Sequence, residues 1–324
     1  MAPCPDKLAS CAPPAVPPDV YDEDYFLDVC AGSKEWRASA GAEASGAYAG
    51  LVALAGVTPG DTLVDIGTGR GELLVAALDA GATRSVGVEY SESAVALARR
   101  TLAARGVGDR ADVLHCDARA VPLPAGAADV VTFCDVVEHL TPDELADALG
   151  EANRLLRPGG RVFVQSGNIR NPSARPSEWI LDETVWTIHE VATGLVRNDP
   201  KYVAYRPLLD DEARMQAHLA YRDRVFLPVR PLDYYVRSLE TAGFGIESVT
   251  ARTIDASVDD WFEFLSAYHE AVLGWVGGSA KVDGAPAGAP AQRDRLALIR
   301  HAMDTLFGGR PAFRCCWTYI NSVR

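Results

Sequence analysis

Two rhythms of apolar residues alternate between positions 62 and 166 of this chain. Short continuous runs, the pattern of strands covered on both faces, are separated by stretches in which apolar residues recur every three or four positions. The short runs predict strands at 62–66, 85–89, 112–116, 128–134 and 161–166. The intervening stretches predict helices at 71–80, 92–104 and 142–156. The helix at 92–104 carries Ala94, Leu97, Ala98 and Leu102 at helical spacing; that at 142–156 opens on Thr141 as a cap with Pro142 in its first turn. Arg157-Pro158-Gly159-Gly160 reads as a break before the fifth strand. Strands alternating with amphipathic helices predict an α/β fold built on a doubly wound sheet.

The flanks read differently. Residues 1–20 are rich in Pro and Ala without a continuous apolar stretch, which predicts a disordered N-terminus that is not a secretion signal. Residues 21–54 are helical in pattern and open on aromatics: Tyr21, Tyr25, Phe26 and, further on, Trp36. Residues 167–230 break the rhythm with a long polar-aromatic segment, helical in places. An insertion at that end of a parallel strand is expected to be a lid or substrate wall. The sheet pattern resumes with a helix at 231–242 and a strand at 245–253. A helix at 258–275, a Gly/Ala/Pro linker at 277–291, a helix at 292–306 and a last strand at 312–320 follow. The expected organisation is a tail (1–20), a cap helix plus core (21–166), an insertion (167–230) and a segment completing the core (231–324) that carries its own helical insertion (255–311).

Composition narrows the function. At 324 residues, 48% hydrophobic and 23% charged, the chain has ordinary globular proportions. Its net charge of −13, with no basic run longer than Arg99-Arg100, disfavours a nucleic-acid partner, whose binding needs clustered Lys and Arg. No run is long enough to span a membrane. The seven cysteines (Cys4, Cys11, Cys30, Cys116, Cys134, Cys315, Cys316) contain no C-x-x-C, and an odd count within expected strands fits reduced thiols in the cytoplasm. His115, His218, His269 and His301 are scattered without ligand spacing, so no metal is expected.

The chemistry gathers where expected strands end. Leu63-Val64-Asp65-Ile66 runs into Gly67-Thr68-Gly69-Arg70-Gly71, and 22 residues past Gly67 the second strand ends in Glu89. Glycines there let the backbone turn and approach a ligand, and the acid can accept two hydrogen bonds from a ribose diol. A dinucleotide fingerprint would put its third glycine at position 72; the chain has Glu72, whose charge at a helix start would repel a pyrophosphate. A nucleoside cofactor without phosphate meets no such conflict.

The glycine stretch resembles motif I of the class I S-adenosylmethionine methyltransferases. Glu89, Asp117, the Asp135-Val136-Val137-Glu138-His139 stretch and the Arg-Pro-Gly-Gly break extend the likeness over about 46–166, and more loosely over 231–254 and 312–320. The resemblance implies a seven-stranded sheet ordered 3-2-1-4-5-7-6 with the last strand antiparallel, an N-terminal helical cap, and S-adenosylmethionine as cofactor. It places Asp65, Gly67, Thr68, Gly69, Gly71, Glu89, Tyr90, Asp117, Ala118, Asp135 and Tyr25 at the cofactor. Each acid has a plainer alternative. Asp65 caps the glycine turn through backbone N–H groups, Glu89 starts a helix, and Asp117 is a loop acid beside Arg119. His139 is the candidate general base, an imidazole titrating near neutrality, or else a histidine packed under the next helix. Tyr21, Tyr25 and Trp36 offer aromatic faces to a sulfonium, or simply pack a helix. Asn171-Pro172 lies after the fifth strand, not the fourth, and so does not match the N-P-P-Y signature of amino-methylating enzymes.

The expected activity is methyl transfer to a small-molecule acceptor, in secondary-metabolite biosynthesis. A cyclase releasing methylthioadenosine, a nicotinamide oxidoreductase and a non-catalytic binding module are the alternatives. A homodimer is left open.

Overall fold

Five strands follow one another through the first half of the chain: β1 (Thr62–Ile66), β2 (Arg84–Glu89), β3 (Ala111–His115), β4 (Ala128–Cys134) and β5 (Leu156–Ser166). Two more, β8 (Gly245–Ser257) and β9 (Ala312–Val323), complete a seven-stranded sheet in the order β3-β2-β1-β4-β5-β9-β8. These come from a computed structural model that describes residues 16, 18, 21–23, 25–29, 33–39, 41–42, 46–175 and 177–324. The expected disordered tail (1–20) lies almost wholly outside the described residues, as do Cys4, Cys11 and Cys30. Counting only the strands of this sheet, the order is the expected 3-2-1-4-5-7-6, and β9 runs antiparallel to β5.

β1 and β4 are the centre of the sheet and pair in parallel, Leu63 with Val130 and Ile66 with Phe133. Helices α3 (Glu72–Asp79), α4 (Glu92–Ala104) and α5 (Pro142–Leu155) connect the strands. Leu63, Val64, Val131 and Phe133 are fully buried, as expected for a sheet covered on both faces. α5 opens on a reciprocal cap: Thr141 accepts from the Glu144 amide while Glu144 accepts from the Thr141 amide, an arrangement that contributes about 0.5–2 kcal/mol.

Several expected boundaries move. β5 begins at Leu156, not 161, because Leu156 pairs with Ala128 before the register shifts at Val130 and Arg161. The Arg-Pro-Gly-Gly segment is thus an irregular part of a strand. The helix expected at 258–275 is two, α9 (Val258–Ala267) and α10 (His269–Leu273), interrupted at Tyr268. The Tyr268 ring packs against Phe264 at 5.2 Å and Phe226 at 6.0 Å. The expected linker at 277–291 holds a short helix, α11 (Ala280–Asp283), and the first turn of α12 (Ala289–Phe307).

The chain divides into two compact units. The first comprises residues 1–171, 230–251 and 318–324 and contains α1 (Ser33–Ser39), α2 (Gly46–Leu54) and α8 (Leu232–Thr241) beside β1 to β5 and α3 to α5. Within it a two-residue parallel pair, β6 (Ile169–Arg170) with β7 (Arg230–Pro231), joins the residues that flank 172–229.

The second unit comprises 172–229 and 252–317. Its helices α6 (Leu181–Asn198), α7 (Glu212–Val225), α9, α10 and α12 share one apolar core that includes Tyr202, Trp261, Trp275 and Phe307. Phe307 stacks on Phe313 at 4.2 Å, and the Trp261 indole donates to the Thr184 hydroxyl at 2.8 Å. Two stretches that read separately along the sequence therefore bury one core. Among the described residues no helix is long and apolar enough to cross a membrane.

Candidate functional site

The site begins where β1 ends. Gly67, Gly69 and Gly71 all hold left-handed backbone, with φ of 69°, 53° and 77°, a region that side chains with a Cβ rarely occupy. A Cβ at Gly67 would stand 2.5 Å from Val136 Cγ2, so the segment after β4 lies directly against the loop. Gly87, in the middle of β2, is needed for the same reason: a Cβ there would meet Thr68 Cγ2 at 2.5 Å.

Asp65 is buried and accepts from the Thr132 hydroxyl at 2.6 Å. The turn-capping alternative gave it loop N–H groups; the structure gives it a hydroxyl of the neighbouring strand instead. Burial raises its carboxyl from 3.8 to about 6, with the Thr132 hydrogen bond pulling down and the charge of Glu89 pushing up. Glu72 departs from the reading that made it a bare charge. It is buried and ion-paired with Arg70 at 2.7 Å, and Arg70 also donates to the Phe26 carbonyl at 2.6 Å. Its repulsion of a pyrophosphate is therefore largely neutralised, and the case against a dinucleotide rests on the absent third glycine.

Glu89 ends β2 pointing back at the loop. One carboxylate oxygen accepts from the Gly69 amide at 3.1 Å, and the other accepts from the Tyr90 and Ser91 amides at 2.8 and 2.9 Å. Burial holds its carboxyl above the ordinary range in spite of these bonds. A carboxylate offers about four acceptor positions, so one remains for a ligand hydroxyl. Asp117 is clamped by Arg119, whose guanidinium donates to both its oxygens at 2.9 and 2.7 Å and whose amide donates at 2.8 Å. This is the loop-acid arrangement, with Ala118 packed against the core beside it.

After β4 the chain makes a left-handed step at Asp135, φ 53°, the one positive φ outside glycine among the described residues. The Gln165 amide donates to both Asp135 oxygens, at 3.2 and 3.3 Å. Asp135 is open to solvent on one side. The protein packed on its other sides and the nearby Glu138 carboxylate push it above the ordinary range. Glu138 is buried; one oxygen accepts from the Ser166 hydroxyl at 2.8 Å, and the other, Oε2, has no partner. Burial pushes its carboxyl up to about 7. Glu138 was not singled out from the sequence, where a Glu before His139 reads as one more polar residue of the stretch.

Burial pushes the His139 imidazole down to about 4, and its ring meets the edge of Tyr21 at 5.9 Å. Both Tyr21 and Tyr25 belong to an aromatic cluster over the loop. Their rings are 4.9 Å apart, Tyr25 meets Phe26 at 4.8 Å, and Tyr21 meets Tyr90 at 5.9 Å. The Tyr21 carbonyl is fixed by the Ser91 hydroxyl at 2.6 Å. A Cβ at Gly69 would touch the Phe26 ring at 3.4 Å. Trp36 shares an apolar cluster with Phe26, against which Tyr21 and Tyr25 pack, and donates to the Thr101 hydroxyl at 2.7 Å beneath Arg100. Among the described residues no three His, Cys, Asp or Glu side chains converge as a metal site.

Comparison with known proteins identifies a domain and a fold. Residues 63–160 match the family described as a methyltransferase domain. The ubiquinone/menaquinone biosynthesis C-methyltransferase UbiE of Cereibacter sphaeroides is 31% identical over 144 residues, 44% of this chain and 55% of that protein. The 27-O-demethylrifamycin SV methyltransferase of Amycolatopsis mediterranei is 36% identical over 146 residues, 44% of this chain and 51% of that protein. The chain thus spans about half the length of these curated relatives. The crystal structure of the YcgJ protein of Bacillus subtilis superposes with a TM-score of 0.53 at 16% identity, covering 86% of this chain and 98% of that one. That likeness is one of fold.

Proposed function

We propose that this chain, which belongs to the class I Rossmann-like S-adenosylmethionine methyltransferases through its domain at residues 63–160, transfers a methyl group to a small-molecule acceptor. The observation that carries the reading is the approach of Glu89 to the left-handed glycine loop. A buried carboxylate there, 3.1 Å from the Gly69 amide, keeps an acceptor position free beside backbone that only glycine shapes this way.

The residues fit the cofactor. Glu89 is suited to a ribose diol, and the aromatic faces of Tyr21 and Tyr25 are suited to a sulfonium, whose cation–π attraction is about 0.5–2 kcal/mol per favourable face. Asp65, Gly67, Thr68, Gly71, Tyr90 and Asp135 line the same stretch of loop and strand ends, with Asp117 and Ala118 after β3 on the side suited to an adenine. When bound, the cofactor supplies an electrophilic methyl on sulfur. The chain's part is to hold an acceptor in line with it and to exclude water, which can supply much of the barrier reduction by orientation alone. The cluster of Tyr21, Tyr25 and Phe26 is placed to exclude water, and Asp135 presents a carboxylate to the open side of the crevice.

The two curated relatives named above carry ubiquinone or menaquinone and a demethylrifamycin in their names, which supports a small-molecule acceptor; we place the reaction in secondary metabolism. The buried thiols of Cys116, Cys315 and Cys316, none of them in a disulfide, support a reducing, cytoplasmic setting. The test is incubation with methyl-labelled S-adenosylmethionine and a panel of hydroxylated aromatic and quinol acceptors. Labelled acceptor with adenosylhomocysteine supports transfer. Methylthioadenosine instead would turn the reading to cyclisation of the cofactor's own chain, and cofactor binding without turnover would leave a binding module.

A further inference from the structure

The crest of the sheet is acidic. Asp65, Glu89, Asp135 and Glu138 gather at the ends of β1, β2 and β4, and among the described residues neither Asp135 nor Glu138 takes part in an ion pair. Two further observations single out the last two. Glu138 Oε2 is buried and has no hydrogen-bond partner, although the carboxyl as a whole is drawn down by the Ser166 and Asn168 side chains. Asp135 sits in a left-handed conformation that an aspartate adopts at some cost, which brings its carboxylate onto the Gln165 amide instead of any cation.

The groups around the pair are Cys134 and His139 on its own segment, Asp65 on β1, and Tyr235 on α8. Arg230, beside Tyr235, is engaged with the Leu140 carbonyl at 2.8 Å and lies over the Tyr234 ring at 5.0 Å. His139 is neutral above about pH 4 and supplies no positive charge near neutrality. Two carboxyls so placed repel, and one retains a proton until an external cation arrives.

On the premise that the chain binds S-adenosylmethionine, we propose that Asp135 and Glu138 form a cation subsite that holds one proton when empty and releases it when a positively charged ligand binds. The consequence is discrimination by charge. A sulfonium carries one positive charge more than the thioether left after methyl transfer, so the same subsite favours cofactor over product. Glu138 acts here by its charge and hydrogen bonding toward the ligand; no bond is made or broken.

The test is calorimetric titration of the full chain with S-adenosylmethionine and, separately, with adenosylhomocysteine, at several pH values and in two buffers of different ionisation enthalpy. A single linked proton raises sulfonium affinity about tenfold from about pH 6 to about pH 8, with release of about one proton at the acid end and almost none at the alkaline end. Adenosylhomocysteine should gain less than about threefold over the same span. Glu138→Gln should flatten the sulfonium profile, and comparison with it removes any titration of the ligand itself. Asp135→Asn gives the same readout at a solvent-open position whose left-handed backbone asparagine tolerates, should Glu138→Gln fail to fold. His139→Gln should leave the slope in place. Identical pH profiles for both ligands, or an unchanged slope in Glu138→Gln and Asp135→Asn, would overturn the carboxyl pair while leaving the cofactor reading intact. Failure of both ligands to bind at every pH would overturn the cofactor reading and the subsite with it.

Discussion

The Glu89 carboxylate and the Gly69 amide meet at 3.1 Å, tying the end of the second strand to the loop that follows the first. This bond makes one acid responsible for two things at once: it shapes the loop, and it leaves an acceptor position beside it. Its removal therefore has a double effect. Glu89→Ala should weaken binding of S-adenosylmethionine by about 1.5–3 kcal/mol, the range for a hydrogen bond to a charged group. Calorimetry on the folded variant measures it, and unchanged affinity would remove the ribose assignment.

Gly67→Ala tests the close approach of the loop to the segment after β4. The added Cβ would lie 2.5 Å from Val136 Cγ2 at a φ of 69°. Overpacking plus left-handed strain should destabilise the protein by about 1–3 kcal/mol. Val136→Ala in the same chain should recover the steric share and leave the backbone share. A double-mutant cycle by urea unfolding separates them, and strict additivity would show that the two side chains do not collide.

The pH dependence of stability carries a signature of Asp65. Its folded carboxyl titrates at about 6 against 3.8 for the free group. Between these values the folded chain holds more protons than the unfolded one, so this group's contribution falls as pH rises and levels off above the folded value. A displacement of that size corresponds to about 3 kcal/mol. Asp65→Asn should match the parent near about pH 4 and gain over it up to about pH 7, by an amount of that order. Unfolding curves across this range decide it: a constant difference would mean that Asp65 keeps its ordinary affinity for protons.

Arg295 anchors the second unit from within. Its guanidinium donates to the carbonyls of Gly274 and Val276 and, at very short range, Gly278, with no exposed surface. Arg295→Ala strands those carbonyls in the core and should destabilise the protein by about 3–5 kcal/mol. Denaturant unfolding measures the loss. A loss below about 1 kcal/mol would mean that water replaces the guanidinium.

Most of the sheet was legible because its strands are buried on both faces and their apolar runs have nothing else to encode. Val64, Val86 and Val131 sit in the expected strands. The start of β5 was not, since Pro158, Gly159 and Gly160 are breakers by local rules. The pairing of Leu156 with Ala128, and the backbone bonds of Gly159 and Gly160 with Arg324, keep the segment in the sheet. The helix expected at 258–275 breaks at Tyr268, whose ring packs on Phe226, a contact across 42 residues with no local trace. The shared core of residues 172–229 and 252–317 was hidden for the same reason.

In the site, Glu89 was readable from spacing. Asp117 was placed correctly after β3, but the Arg119 clamp favours the plainer of its two readings. His139 drew notice because histidine ordinarily titrates near neutrality, a property that burial removes. Glu138 was read only as part of the stretch 135–139, because its distinction is a missing partner at Oε2, which only three dimensions reveal.

The brief parallel pairing of Ile169 with Arg230 brings the two ends of the 172–229 segment side by side. A segment whose two ends lie side by side can change in length without driving β6 and β7 apart. Insertions and deletions between those points are thus tolerable to the extent that they spare the core shared with residues 252–317.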